Sequence, residues 1–434
     1  MSRPPVSYYR ATVPDLPHRP EARGTLRADV CIIGGGLAGL NTALGLVERG
    51  MQGVLLLEGE QVGHGASGRN GGFVFGGFSR GEANLLRDLG EVQARRLYAG
   101  TTAAIATIRK RIDQYDIACE RVDAGVLWAN WFRDPSVLRA RQALLAGHFD
   151  TTWQWVQRDE LRGLLHTTRY SDALFEPGAF HFHPLKYVQG IARAAESLGA
   201  VLHEASPAIS LERHGAGWRV RTDAASIDAR QVVLACGGYL SGLCDKVDAS
   251  VLPIATYVMA TEPLGGRLDA AMATRAAVYD TRFAFDYYRP LPDTRLLWGG
   301  RVSIRERSPS AVERLLRRDL LRVFPQLEGV RIDHAWSGLM SYARHEMPQV
   351  GRIDEGLWLA QAFGGHGVAP TTFAGELVAG AMAEGDERWR DFSEYGLVPA
   401  YKPLGFAGAQ LAYWWYQARD AWKDWRERAA GAAR

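Results

Sequence analysis

Cysteine is scarce in this chain. The four present, Cys31, Cys119, Cys236 and Cys244, show no C-x-x-C spacing and no histidines at metal-ligand spacing. That argues against a disulfide framework and against a cysteine-held metal, and no metal is expected. Cys31 and Cys236 lie inside short apolar runs that read as buried strands, so reduced core thiols and a cytoplasmic setting are expected. No apolar run is long enough to span a bilayer. Residues 1–28 are rich in proline and arginine and lack an apolar core segment, so no secretory signal is expected. Excess charge is missing too. Lys and Arg total 51 against 48 Asp and Glu, a net +3, and the basic residues are not stacked in blocks. Nucleic acid is therefore not an expected partner. Internal repeats and low-complexity tracts are also lacking.

Glycine is abundant, at 48 of 434 residues, and it clusters. Clusters mark places where backbone turns sharply or approaches something closely. Apolar residues make up 47% and charged residues 23%, the balance of a globular protein, and the length favours two joined domains over one core.

Along the chain, Asp29–Ile33 is a short apolar run ended by Gly34-Gly35-Gly36, and Leu37, Leu40, Leu44 and Val47 then recur at helical spacing. A second run, Val54–Leu57, ends at Glu58, completing a βαβ unit of the size a mononucleotide-binding fold needs. Residues 84–170 read as mostly helical, 191–198 as a helix, and 251–305 as alternating strands including 283–289 and 295–301. A charged amphipathic helix is predicted over 308–324 and a further helix from about 370 to 383. Short strands before Gly237-Gly238 and before Gly364-Gly365 bring nucleotide-fold pieces to the start, middle and end of the chain. The expected fold is α/β: an interrupted Rossmann-like dinucleotide domain plus a substrate domain with a mainly antiparallel sheet and helices. The expected boundaries are an arm at 1–27, the dinucleotide domain at 28–83, 176–245 and 343–390, the substrate domain at 84–175 and 246–342, and a helical extension at 391–434.

Two motifs carry chemistry. GGGLAG at 34–39 is a G-x-G-x-x-G pattern: Gly34 permits the turn, Gly36 lets backbone touch a pyrophosphate, and Gly39 lets helix pack on strand. Glu58, at the end of the next strand, is placed to accept from a ribose 2′-OH, which argues against NADP. FAD and NAD both remain open on that motif. GHGASGRNGG at 63–72 adds five glycines just past the second strand, suited to an extended segment beneath a second phosphate and a flat ring system.

GASGRNGG at 65–72 together with GGGLAGL at 34–40 resembles the D-amino-acid-oxidase-type flavoenzyme superfamily, and within it the γ-glutamylputrescine oxidoreductases. The resemblance extends to Tyr8-Tyr9, HPLK at 183–186, DYYR at 286–289, LLWGG at 296–300, MPQVGR at 347–352 and GGHGV at 364–368, covering almost the whole chain. It implies FAD as cofactor. The implied cofactor-binding set is Gly34, Gly36, Leu37, Ala38, Gly39, Glu58, Gly65, Ala66, Ser67, Arg69, Asn70, Gly71, Gly72, Ala208, Ala235, Gly237, Gly364, Gly365, His366, Gly367 and Val368. Ser67, Arg69 and Asn70 are implied to line the flavin and Ala208 to offer backbone to adenine. The GGHGV helix start is implied to stand near the flavin pyrimidine, where its N–H groups favour the negative charge of the reduced ring.

Departures from relatives matter as much. Sarcosine-oxidase-like members attach FAD through a cysteine where Gly338 stands, and dimethylglycine-dehydrogenase-like members have a histidine where Asn70 stands, so FAD is expected to be non-covalent. The lysine that promotes reaction with dioxygen in sarcosine-type members aligns with Leu297, which leaves dioxygen and another electron acceptor both open. Amino-acid oxidases clamp the substrate carboxylate with an arginine where this chain has Met340. Losing that clamp would cost a carboxylate substrate roughly 1.5–3 kcal/mol.

The expected reaction is therefore FAD-dependent oxidation of a C–N bond in a small amine of γ-glutamylputrescine type. Arg289 offers a rescue for a carboxylate, and with it an alternative substrate class of imino acids such as L-pipecolate or L-proline. A non-catalytic flavin-binding scaffold is a minor alternative. The expected pocket residues are His366, Arg289, Tyr288, Tyr342 and Met340, with strand alternation allowing only one of Tyr287 and Tyr288 to face the cavity. Phe73 stands where γ-glutamylputrescine enzymes tend to have glutamine, which makes that wall more apolar. The tail carries Trp414, Trp415, Trp422 and Trp425 among basic residues. These aromatics are expected to pack on the protein body rather than to lie on a membrane.

Overall fold

A computed structural model describes residues 7–432 of the chain. Two eight-stranded sheets organise it. The first runs in the order Gln349–Asp354, Leu357–Gln361, Ala225–Leu234, Gly24–Ile33, Val54–Leu57, Val201–His203, with Gly217–Arg221 and Ser210–His214 added beside Ala225–Leu234. Its central pairings are parallel, and the register places Ile33 opposite both Leu57 and Leu234. The carboxyl ends of three strands are therefore level. Gly34, Glu58 and Ala235 emerge side by side at the edge where open α/β sheets bind ligands.

The second sheet runs Ile332–Ala343, Val251–Thr261, Leu296–Ser303, Asp286–Pro290, Ala277–Asp280, Val126–Ala129, Ala173–Glu176, Gln154–Val156. All its pairings are antiparallel except that of Ala277–Asp280 with Val126–Ala129. A two-stranded ribbon, Phe73–Val74 with Phe180–His181, bridges the region between them. The expected fold class is the observed one. The strand Phe283–Arg289 shortens to Asp286–Pro290, and the helix at 308–324 is Pro309–Val323.

Several local expectations are corrected. The segment 84–170 is not all helix: Val126–Ala129 and Gln154–Val156 separate the helices Glu82–Gln114, Ser136–His148 and Arg158–Leu164. Those strands are too short to show a period against their charged surroundings. The long helix is broken at Gly90, whose φ of 71° and ψ of 169° interrupt its turns. The helix read at 191–198 begins at Pro184, because His183 caps it by accepting from the Lys186 N–H at 3.2 Å. The arm is only partly irregular. Residues 1–6 lie outside the described residues, but Tyr8–Ala11 form a helical turn with Tyr8 and Tyr9 buried, and strand begins at Gly24.

The tail also departs from expectation. Lys402–Ala432 is helical, but its tryptophans do not pack inward: Trp414, Trp415, Trp422 and Trp425 are 55–70% exposed. Polar residues hold the helix instead. Asp420 accepts from the Phe283 N–H at 2.7 Å, Asp424 pairs with Arg169 at 2.5 Å, and Glu427 accepts from the Arg133 N–H at 2.6 Å. These three acids recur at i, i+4 and i+7, one helical face, and turning that face inward leaves the tryptophans outside. No helix among the described residues is long and apolar enough to cross a membrane.

The helix Leu37–Glu48 is buried along nearly its whole length against Val368–Glu384, so both are mostly apolar. One cation ties them to the long helix. Arg111, 2% exposed, pairs with Glu48 and Glu376 and donates to Asn41 Oδ1 at 2.8 Å. Removing it leaves two carboxylates facing each other. Arg111→Met is expected to lower unfolding stability by roughly 2 kcal/mol, below the full cost of breaking a buried pair because the two carboxylates keep 23% and 26% exposure. Urea unfolding followed by tryptophan fluorescence checks this. An unchanged midpoint would mean the three helices dock without the cation.

Candidate active site

A cavity of about 1660 Å³ runs from the carboxyl edge of the first sheet to the face of the second. That exceeds the 300–1,000 Å³ usual for a single small ligand and suits a long cofactor together with a substrate. Of the sequence-derived cofactor set, all but Gly39 and Gly72 line it. Those two work from behind. A Cβ on Gly39 would run into the Gly34 carbonyl, so only glycine lets the helix start this close to the strand. Gly72 has φ of 79°, and a Cβ there would meet the Phe182 carbonyl.

At the dinucleotide end, Glu58 accepts from the Gly35 N–H at 2.7 Å and the Glu60 N–H at 2.9 Å, while burial pushes its carboxyl upward. Ser67 Oγ accepts from the Leu37 N–H at 2.8 Å, joining the second glycine segment to the helix start. The N–H groups of Gly36 and Ala38 have no partner among the described residues. An open helix N-terminus at the head of a long cavity fits a pyrophosphate, and the cradle as a whole fits a flavin dinucleotide. Pro207, Ala208, Cys236 and Tyr239 complete this end. Cys236 is not poised for chemistry, because burial pushes its thiol up to about 12.

The segment 65–72 is shaped by its own side chains. Asn70 donates to the Ala66 and Ser67 carbonyls at 3.1 and 2.9 Å and accepts from the Gly72 N–H at 2.8 Å. The Arg69 carbonyl accepts from Trp336 Nε1 at 3.0 Å, fixing the segment to the second sheet. Arg289 is the strongest tie, and it is not in the cavity. It is 2% exposed and donates to the Gly71 carbonyl at 2.7 Å, the Phe182 carbonyl at 2.8 Å and Tyr9 Oη at 3.2 Å. The expected rescue of a substrate carboxylate by Arg289 is thus corrected: its donors go to two backbone carbonyls and to the Tyr9 and His181 side chains.

Tyr288 is corrected as well. It is fully buried and stacks on Trp298 at 4.4 Å in the core behind the sheet, and alternation turns Tyr287 to the cavity instead. Met340, Tyr342 and His366 do line it, joined by Phe73, Phe75 and Tyr279. Phe75 meets His366 edge-on at 4.8 Å and stacks on Tyr279 at 5.6 Å. Burial lowers the His366 imidazole to about 4, aided by Arg141, and raises the Tyr342 phenol to about 12. Both are neutral at ordinary pH. Tyr279 and Arg141 were missed because they come from segments carrying no motif, and Phe75 because it lies three residues beyond the 65–72 segment. No local signal distinguishes them from core or surface residues.

A family model described as FAD dependent oxidoreductase matches residues 29–381. The γ-glutamylputrescine oxidoreductase of Escherichia coli is 33% identical over 400 residues, covering 91% of this chain and 92% of the relative. A probable oxidoreductase, OrdL, of Haemophilus influenzae is 34% identical over 380 residues, covering 86% and 87%. Among solved structures, glycine oxidase from Geobacillus kaustophilus superposes with a TM-score of 0.72 at 21% identity, covering 86% of this chain and 99% of its own. L-proline dehydrogenase from P. horikoshii gives 0.71 at 18%, covering 86% and 100%.

The Arg289 geometry yields a test. Arg289→Met is expected to reduce the bound flavin per protein and to lower stability by about 2–4 kcal/mol, the cost of leaving buried carbonyls unpaired. It should leave the preference between carboxylate-bearing and carboxylate-free substrates unchanged. A loss confined to the KM of carboxylate substrates would instead place Arg289 at the substrate.

Proposed function

The chain belongs to the FAD-dependent oxidoreductase family, whose members act on CH–NH and CH–NH2 bonds, and from that premise we propose that it oxidises a small amine of γ-glutamylputrescine type to the imine. The observation that carries this reading is the wall beside Met340. It presents the Met340 thioether where amino-acid oxidases place the clamping arginine, and Arg289, the substitute expected from the sequence, is bonded elsewhere. The L-pipecolate and L-proline alternative loses its anchor with Arg289, and the family chemistry leaves no place for a non-catalytic scaffold.

FAD, when bound, supplies the two-electron acceptor for a hydride leaving the carbon beside nitrogen. It is held without a covalent bond: Gly338 offers no thiol, and Asn70 stands where other members attach through histidine. The protein's part is positioning and drying. Phe73, Phe75, Tyr279 and Tyr287 wall the substrate space and disfavour the ammonium form, leaving the amine lone pair free as the C–H bond breaks. Neutral His366 and protonated Tyr342 add hydrogen-bonding groups without adding charge. No side chain here needs to act as a general base. Water would hydrolyse the released imine, and dioxygen or another electron acceptor would be needed to reoxidise bound FAD.

Anaerobic addition of γ-glutamylputrescine, putrescine, L-pipecolate, L-proline and sarcosine to the FAD-loaded protein, followed by air, tests the reading. Bleaching by γ-glutamylputrescine is expected. Bleaching by pipecolate or proline alone would sink it. The pH dependence is equally specific. The His366 imidazole protonates only near pH 4, so the reduction rate should rise with pH through loss of the substrate ammonium proton alone. His366→Gln should change the height of that profile and leave its midpoint in place, as stopped-flow measurements from about pH 6 to 10 would record. A shifted midpoint would mean that His366 titrates in the working range.

A further inference from the structure

The cavity's aromatic wall leads away from the GGHGV turn to a cation. From His366 the rings pass through Phe75 to Tyr279, and Tyr279 stacks on Trp128 at 6.3 Å. Arg141, on the helix Ser136–His148, holds its guanidinium 4.7 Å from the ring centres of both Trp128 and Trp153. It donates to Glu82 Oε1 at 2.7 Å, while its Nε is buried with no partner among the described residues. The residue lines the cavity, and its side chain keeps 20% exposure.

A guanidinium flanked by two indoles keeps its plane, its charge and a directional edge of N–H donors, which together suit a carboxylate. The acids facing it are Glu82 and Glu176. Burial raises Glu176 to about 7, so near neutrality it offsets only part of the Arg141 charge. Glu82 takes one Arg141 donor and stands outside the cavity lining, so the guanidinium is the charge a ligand meets there. A cation here also repels an ammonium, which orients a two-ended substrate with its reacting amine toward Met340 and Tyr342.

We propose that Arg141 binds the carboxylate of an α-amino-acid head group at the end of the substrate remote from the oxidised C–N bond. The assignment rests on the amine-oxidation reading above and adds to it the residue that holds the carboxylate end of a γ-glutamyl amine. It also explains how a site without a clamp beside the reacting carbon can still select a carboxylate-bearing molecule.

The test is calorimetric titration of the FAD-loaded protein with two ligands that lack the terminal amine, γ-glutamylbutylamide and N-butylacetamide. Wild type should bind the first at least about 10-fold tighter, as a charge-assisted contact predicts. Arg141→Met should erase that preference, and Arg141→Lys, which keeps the charge and the Glu82 partner, should restore part of it. Equal binding by wild type, or a preference that survives in Arg141→Met, overturns the subsite. The wild-type comparison and Arg141→Lys decide the matter if Arg141→Met does not fold. Neither ligand carries the amine to be oxidised, so the outcome is independent of the reaction. A preference that depends on Arg141 in a protein that γ-glutamylputrescine cannot bleach would keep the subsite and overturn the oxidation reading.

Discussion

The Arg289 guanidinium joins parts of the chain that are far apart in sequence. It projects from the strand Asp286–Pro290 of the antiparallel sheet and holds the carbonyl of Gly71 in the glycine segment, the carbonyl of Phe182 just before the helix Pro184–Ser197, and the hydroxyl of Tyr9 in the N-terminal arm. Buried carbonyls need donors, and a planar fork supplies several at fixed angles. The segment expected under the flavin is thereby positioned by the second sheet as well as by the first. Gly71 and Gly72 pass between the Tyr287 ring on one side and the Phe182 carbonyl on the other, where any side chain would collide. The arm is drawn in for the same reason: Tyr9 packs at 4.8 Å on His183, the cap of that helix.

Charge is distributed along the cavity unevenly. At the aromatic wall burial holds two titratable groups neutral, His366 low and Tyr342 high. Full charge returns at Arg141, where two indoles and Glu82 compensate the guanidinium for lost water. Such a gradient favours an uncharged amine at one end and an ionised group at the other. Arginines over indoles recur nearby: Arg169 and Arg282 each lie 3.6 Å from the Trp131 ring. Arg282 also bonds Asp280 and Asp286, which closes the loop between their strands, and the tail helix reaches that loop through Asp420 and through Tyr416 stacked on Phe283.

Much of the architecture is legible in the sequence because short-range rules govern it. The run Asp29–Leu57 had to be strand, tight turn, helix, strand, since apolar spacing and Gly34, Gly36 and Gly39 leave few other conformations. The same holds for Glu58, for the 63–72 segment and for the GGHGV turn. Motifs report backbone requirements, and those are local. The strands Val126–Ala129 and Gln154–Val156 were not legible because each is stabilised by neighbours distant in sequence. Strand preference is largely a preference for such neighbours.

By itself, then, the sequence determined the family fold, the dinucleotide cradle and the missing carboxylate clamp, each written in residue types at fixed spacing. The direction of individual side chains was decided only by tertiary packing. Tyr287 rather than Tyr288 faces the cavity, Arg289 spends its donors on backbone carbonyls and two buried side chains, Arg141 reaches the cavity from a helix without a motif, and the tail tryptophans face outward. None of these follows from a residue's neighbours in the chain. Each depends on which partners the fold brings together to satisfy a buried donor, acceptor or charge at the least free-energy cost.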